Sequence, residues 1–112
     1  MKIIIVDDDC LVAGALKTIL EANPDIEVTA TGSDGEEACA LYREYLPDIL
    51  LMDIRMKGMD GLEASRVIRQ AERPDALTIP IIAMTANAFD DDRSKALEAG
   101  INSYLVKPID IN

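Results

Sequence analysis

The 112-residue sequence contains no histidine and only two cysteines. Without histidine, the chain can form neither a Ser-His-Asp triad nor a histidine-containing zinc site. Cys10 and Cys39 lack the spacing of a metal-binding pair and do not suggest a disulfide framework, so we expect both thiols to stay reduced. These absences exclude several classes of hydrolase and metal site.

Basic residues are also scarce, because 11 lysines and arginines face 21 aspartates and glutamates, for a formal charge of −10. Phosphates demand a basic surface, so this balance argues against direct contact with nucleic acid or an anionic membrane. No apolar run reaches the roughly 18 residues of a membrane span, and the short apolar start lacks the features of a signal peptide. We expect a soluble, cytoplasmic chain that forms a single domain over residues 1–112.

Short apolar runs alternate with amphipathic segments along the chain. Apolar and β-branched runs predict strands at 3–6, 26–30, 48–52, 79–84 and 102–106. Helical periodicity predicts helices over about 11–22, 34–45, 61–72 and 89–99. The first helix is expected to bury a stripe formed by Leu11, Ala15, Leu16, Ile19 and Leu20. Strands and helices that alternate in this way predict an α/β fold, with a parallel sheet covered on both faces.

Polar side chains follow four of the predicted strands. The acidic run 7–9 follows the first strand, Asp53 the third, Thr85 the fourth and Lys107 the fifth. Ligands of such sheets bind beyond the carboxyl ends of the strands, so these residues are considered together. Carboxylates about 5 Å apart repel by roughly 3 kcal/mol at an effective dielectric constant near 20, a cost that a cation would remove. Oxygen ligands with access to water suit Mg2+.

Each of these signals has an ordinary structural explanation when it is taken alone. An aspartate pair after a strand is most often a helix N-cap and a solvated neighbour, and Asp9 suits the N-cap position. A threonine after a strand and a lysine before a proline are usually loop residues. Their coincidence at the ends of four predicted strands favours a functional site.

The complete set of motifs resembles the receiver domain of two-component response regulators, and the resemblance covers the whole chain. The matching segments are Ile-Val-Asp-Asp-Asp at 5–9, Leu-Met-Asp-Ile-Arg-Met at 51–56, Met-Asp-Gly at 59–61, Met-Thr-Ala at 84–86, Tyr104, and Lys-Pro at 107–108. The resemblance implies a flavodoxin-like, doubly wound sheet of five parallel strands in the order 2-1-3-4-5.

The resemblance also implies a final helix, which would be missing or truncated because this sequence stops at Asn112. The sheet face around Leu50, Ile82 and Leu105 would then have no cover from this chain. Large uncovered apolar patches are rare on soluble monomers, so a chain that ends here is expected to self-associate or to fold only marginally.

The resemblance assigns catalytic and switch roles to four residues. Asp53 would be the phosphoacceptor, since a carboxylate can act as a covalent nucleophile. Lys107 would pair with Asp53 and then with a phosphoryl oxygen, and Thr85 would donate a hydrogen bond to another phosphoryl oxygen. Thr85 and Tyr104 would form the switch, with Tyr104 changing its rotamer in response.

The resemblance also assigns the ligands of a Mg2+ cofactor. Asp8 and Asp53 would bind the ion directly, together with the backbone carbonyl of Arg55. Asp7 would act largely through a metal-bound water.

The implied function is Mg2+-dependent phosphotransfer to Asp53 from the phosphohistidine of a sensor histidine kinase or a phosphotransfer protein. Phosphorylation would control an output domain or partner through the face around Thr85 and Tyr104. A C-terminal DNA-binding domain outside this chain, and hence a role in transcription, is the expected output, and a homodimer is compatible with it. Such a chain is a switch that gains and loses its phosphoryl group, not a turnover enzyme.

Two alternatives remain open from the sequence. Asp7 and Asp9 resemble the nucleophile motif of haloacid-dehalogenase-like phosphatases, but that reading leaves Asp53 unexplained, and the acids at 90–92 precede Lys107 rather than follow it. The other alternative is a receiver-like binding module that is not phosphorylated. The intact set of acidic, threonine and lysine positions argues against it.

Overall fold

The computed structural model describes residues 1–85 and 95–106, except for the side chains of Thr85, Tyr104 and Val106. Its elements in chain order are β1 (Lys2–Val6), α1 (Cys10–Glu21), β2 (Glu27–Gly32), α2 (Gly35–Tyr45), β3 (Ile49–Asp53), α3 (Gly61–Arg69), β4 (Ile81–Thr85) and β5 (Ser103–Val106). Residues 95–98 are also helical, whereas most of the predicted helix 89–99 lies outside the described residues. Among residues 1–85 and 95–106, no helix is both long and apolar enough to cross a bilayer.

The strands form one parallel sheet in the order β2-β1-β3-β4-β5, which confirms the predicted α/β fold and strand order. The central strands β1 and β3 lie side by side, and Val6 of β1 pairs with Met52 of β3. Because the strands are parallel, the residues that follow this pair, Asp7 and Asp53, lie next to each other at the carboxyl edge of the sheet. The topology therefore gives the acidic residues a common location.

The two faces of the sheet have separate cores. One face packs against α2 and α3 and includes Ile4, Val6, Leu50, Met52, Ile81 and Ala83. The other face packs against α1 and includes Ile3, Ile5, Leu51 and Met84, with Ile82 partly buried beside them.

The sequence-based expectation that Leu50 shares a face with Ile82 and Leu105 is wrong. Leu50 lies fully buried under α2 and α3, whereas Leu51, which pairs with Ile82, lies on the face of α1. Adjacent residues of a strand point to opposite faces, but a continuous apolar run does not reveal which face each one takes. Leu105 pairs with Met84 and is 46% exposed.

The expected buried stripe of α1 is only partly correct. Leu11 is 79% exposed and Ile19 is 45% exposed, whereas Leu16 is buried and Leu20 is partly buried as expected. The helix instead turns Ala13 toward the sheet. The helix therefore presents a small residue to the sheet at a position that the spacing of its large side chains did not indicate.

The helix ends follow recognisable local chemistry. Asp34 and Asp60 cap α2 and α3 through hydrogen bonds from the amides of Glu37 and Glu63, at 2.8 and 2.9 Å. Leu46 caps the end of α2 with a left-handed backbone (φ 49°), and Gly100, which follows the helical residues 95–98, also has a left-handed backbone (φ 94°). Helix α3 ends at Arg69, three residues earlier than the predicted limit of 72.

Candidate functional site

Three carboxylates meet at the carboxyl edge of the sheet. Asp7 and Asp8 follow β1, Asp53 ends β3, and carboxylate oxygens from all three lie within 4.8 Å of one another. Asp7 and Asp53 are only 2% and 6% exposed, whereas Asp8 is open to solvent. The cluster thus combines two acids that are largely shielded from water with one that is accessible.

The neighbouring Asp9 has a different role from the three clustered acids. Its Oδ1 accepts a hydrogen bond from the amide of Leu11 at 2.9 Å, which caps the start of α1. This confirms the interpretation of Asp9 as a helix N-cap. The Asp9 amide in turn donates to Oδ1 of Asp7 at 2.9 Å, so the tight connection between β1 and α1 holds the Asp7 carboxylate in place.

The loop between β3 and α3 folds back over the end of β3. The amide of Ile54 donates to the Met84 carbonyl on β4, and the Ile54 carbonyl accepts from the amide of Gly61, both at 2.9 Å. The amide of Arg55 donates to Oδ1 of Asp53 at 3.3 Å. This geometry orients the Asp53 carboxylate through its own loop and keeps the Arg55 backbone beside it.

The electrostatic arrangement favours a bound cation. Two carboxylates about 4.8 Å apart repel by roughly 3 kcal/mol at an effective dielectric constant near 20. Burial of Asp7 and Asp53 weakens the screening of this repulsion by solvent. An oxygen-only donor set with one side open to water fits a hard divalent cation such as Mg2+ and does not fit a zinc site built from sulfur and nitrogen ligands.

An open cleft of about 290 Å3 adjoins Asp7 and Asp8 and runs between α1 and the start of α2. Lys17, Ser33 and Glu37 line it. The Ser33 hydroxyl and its amide both donate to Oε1 of Glu37, the amide at 3.1 Å. Sequence reasoning missed these three residues. The spacing of Asp34 and Glu37 was a readable signal for a helix start, but nothing local indicated that this helix start would border the acids.

The remaining predicted site residues are located only in part. Thr85 ends β4, and Tyr104 lies within β5, where it pairs with Ala83 of β4. The backbone of Thr85 therefore lies on the strand next to β3, and the backbone of Tyr104 lies one strand further out. Lys107 lies outside the described residues. The roles of these three residues stay predictions.

Comparison with known proteins gives consistent matches over nearly the whole chain. A sequence model of the family described as the response regulator receiver domain matches residues 3–112. The transcriptional regulatory protein LiaR of Bacillus subtilis is 42% identical over 108 residues, which are 96% of this chain and 49% of that protein. The chain spans about half the length of the curated relatives it matches.

Solved structures give the same match at the level of the fold. A LuxR-family two-component response regulator from Aurantimonas has a TM-score of 0.88 and 35% identity, over 98% of this chain and 76% of that one. The receiver domain of a sensor histidine kinase from Pseudomonas aeruginosa has a TM-score of 0.84 and 35% identity, over 98% of this chain and 87% of that one. That structure contains a magnesium ion coordinated in its active-site cleft.

Proposed function

The chain belongs to the response regulator receiver domain family, and we propose that residues 1–112 form a receiver that accepts a phosphoryl group on Asp53. The observation that carries this proposal is the cluster of Asp7, Asp8 and Asp53, with Asp53 at the end of a central strand. Burial and the hydrogen bond from the Arg55 amide restrict the Asp53 carboxylate to few orientations. A carboxylate held in this way can act as a covalent nucleophile toward phosphorus.

We assign the Mg2+ ligands to the same cluster. Asp8 and Asp53 would hold the ion directly with the backbone carbonyl of Arg55, and Asp7 would act largely through a metal-bound water. When bound, Mg2+ supplies positive charge that offsets both the carboxylates and the oxygens of the incoming phosphoryl group. The magnesium ion in the related Pseudomonas receiver structure supports this assignment.

The phosphoryl donor is a phosphohistidine on a sensor histidine kinase or phosphotransfer protein. In the reaction an Asp53 oxygen forms a bond to phosphorus while the bond between phosphorus and the histidine nitrogen breaks. Lys107 and Thr85 then contact phosphoryl oxygens, and Thr85 and Tyr104 pass the change to the surface. The histidine belongs to the partner, which is consistent with a chain that contains none. Such a partner acts in the cytoplasm, where we place this chain.

The output of the switch is a transcription response through a DNA-binding domain outside this chain. The name of the relative LiaR, a transcriptional regulatory protein, and the LuxR-family structure from Aurantimonas support this proposal. The formal charge of −10 is consistent with DNA contact by a separate DNA-binding domain, present either once or twice in a homodimer, and not by the receiver. The receiver itself would contact neither nucleic acid nor membrane.

The two alternative functions are not favoured. A phosphatase that uses Asp7 and Asp9 would need both carboxylates near the substrate, but Asp9 is engaged as the N-cap of α1. A binding module that is not phosphorylated would gain nothing from three carboxylates held within 4.8 Å of one another.

The test is phosphorylation by acetyl phosphate with Mg2+, followed by intact-mass measurement. We expect one added phosphoryl group on the wild-type chain and none on Asp53→Asn. Asp48→Asn is a matched control, because Asp48 precedes the same strand at its opposite end and accepts a hydrogen bond from the amide of Lys2. Phosphorylation of Asp53→Asn at the wild-type rate would refute the assignment and would favour a nucleophile at Asp7.

A further inference from the structure

Two buried glycines contact the loop that joins β3 to α3. Gly35 is the first residue of α2, and a Cβ atom built on it would lie 2.5 Å from the Met59 carbonyl oxygen and 2.9 Å from that of Asp60. A Cβ atom on Gly61 would overlap the Asp53 carbonyl oxygen and lie 2.9 Å from Cα of Ile54. Each distance is shorter than ordinary Cβ contacts in proteins.

These two positions require glycine for space and not for backbone conformation. Among the described glycines, only Gly58 and Gly100 have positive φ angles. Alanine at Gly35 or Gly61 would therefore be compatible with the local backbone and would differ only by a methyl group that meets the loop. An effect of that methyl group reports on contact with the loop.

Gly35 also forms a hydrogen bond to the loop. Its amide donates to the Met59 carbonyl at 2.9 Å, while the other end of the loop is tied to β4 through the Ile54 amide. Arg55 lies between these two attachment points, one residue after Ile54 and four before Met59. The start of α2 and the end of β4 thus hold the two ends of the segment that carries the Arg55 carbonyl.

We propose that Gly35 is a positioning residue for the metal site. Because it has no side chain, α2 can approach closely enough to seat the loop with the Arg55 carbonyl turned toward the acidic cluster. A methyl group at this position must push the Met59 backbone away by about 1 Å to reach ordinary contact. Mg2+ requires ligands at about 2.0–2.1 Å in near-octahedral geometry, so it is sensitive to such a shift. This inference rests on the proposed function.

The experiment measures Mg2+ binding to Gly35→Ala by calorimetric titration. We expect Gly35→Ala to weaken Mg2+ binding about tenfold, a typical loss for residues that support metal ligands. The control is Leu77→Ala, since Leu77 is 78% exposed and precedes β4, at the opposite edge of the sheet from the acids. Leu77→Ala should bind Mg2+ as the wild type does.

A purely structural role for Gly35 is tested by a third variant, Ile3→Val. Ile3 is buried near the start of β1 in the core on the α1 face, which contains no residue of the loop between β3 and α3, so its truncation lowers stability away from that loop. Ile3→Val should lower the urea midpoint and leave the Mg2+ affinity unchanged. If Gly35→Ala shows the same behaviour, the positioning role is overturned.

The wild-type chain provides a second readout if Gly35→Ala does not fold. Addition of Mg2+ should shift the amide resonances of Gly35 and Arg55 and leave in place that of Gly100, which precedes β5 at the opposite edge of the sheet. An unmoved Gly35 resonance would overturn the inference. The proposed function fails separately if Asp8→Ala binds Mg2+ as tightly as the wild type. If the wild type does not bind Mg2+, both proposals fail.

Discussion

The two edges of the sheet arrange their charges in opposite ways. At the carboxyl edge, Asp7, Asp8 and Asp53 place like charges within 4.8 Å of one another. At the amino edge, two arginines are matched with hydrogen-bond acceptors. Arg73 pairs with Asp75 at 3.1 Å and lies 4.0 Å above the Tyr42 ring, and Arg69 donates to three separate acceptors. The comparison shows like charges held close together at the proposed site and arginines matched with acceptors at the far end.

The Arg69 network joins segments that are distant in sequence. Its Nε and Nη2 donate to the Gly100 carbonyl at 3.0 and 2.7 Å, and Nη1 donates to the Ala76 carbonyl at 3.1 Å. Nη2 also reaches Oδ1 of Asn102 at 2.7 Å, which accepts from the amide of Ile81 as well. Burial lowers the pKa of the Arg69 guanidinium, and these hydrogen bonds offset that desolvation cost.

The largest effect is expected at this network. Arg69→Ala should lower the free energy of unfolding by about 2–4 kcal/mol, because it leaves partly buried acceptors without their charged donor. Urea unfolding measures this change. The control is Arg66→Ala, an exposed arginine on the same helix, which should change stability by less than about 0.5 kcal/mol. Equal effects of the two variants would show that the network does not stabilise the amino edge.

A smaller effect is expected at Tyr42, whose hydroxyl donates to Oδ1 of Asp75 at 2.8 Å. Tyr42→Phe should cost about 1–2 kcal/mol at neutral pH, since the hydroxyl bonds to a charged acceptor. Burial and this hydrogen bond to Asp75 raise the pKa of Tyr42. The folded chain therefore holds the phenolic proton more tightly than the unfolded chain does, and the resulting stability should be lost as pH rises above about 10.

Urea unfolding at neutral and alkaline pH tests the Tyr42 prediction. The Phe variant should show a smaller alkaline loss of stability than the wild type. Tyr45→Phe serves as the control, because Tyr45 lies on the exposed side of the same helix and should keep the wild-type pH dependence. A Phe variant with the full alkaline loss would exclude Tyr42 as its source.

The smallest effects, of opposite sign, are expected for two adjacent acids at the carboxyl edge. Without metal, Asp8→Ala should raise the free energy of unfolding by about 1 kcal/mol, because it relieves repulsion within the cluster. Asp9→Ala should lower it by about 1 kcal/mol, because it removes the N-cap of α1. Asp8→Ala should also weaken Mg2+ binding far more than Asp9→Ala. Chemical denaturation and Mg2+ titration of both variants measure these changes, and shifts of the same sign would contradict the division of roles.

Much of the fold was predictable because the central strands are continuous apolar runs in the sequence. Buried parallel strands require apolar residues on both faces, so β1, β3 and β4 stand out as continuous apolar runs. The same property hides which face each residue takes, as Leu50 shows, because only an alternating pattern would reveal it. The order of the strands followed from family resemblance and not from periodicity.

The acids of the candidate site could be predicted from the sequence, but the residues of the adjoining cleft could not. Asp7, Asp8 and Asp53 could be grouped because each lies at the carboxyl end of a predicted strand, and parallel topology brings such ends together. The cleft residue Lys17 could not be found in this way, because its place depends on how α1 rotates against the sheet. That rotation also left Leu11 exposed.

The types of the elements, their caps and the acidic carboxyl edge can be predicted from the sequence alone, because hydrophobic period, capping and strand-end chemistry act over a few residues. The contacts between distant groups follow only from tertiary packing. The Arg69 bond to Gly100 spans 31 residues, and the amide of Gly35 at the start of α2 donates to the Met59 carbonyl in the loop between β3 and α3. Such contacts depend on the relative placement of whole helices against the sheet, which packing of the entire core fixes and no local pattern encodes.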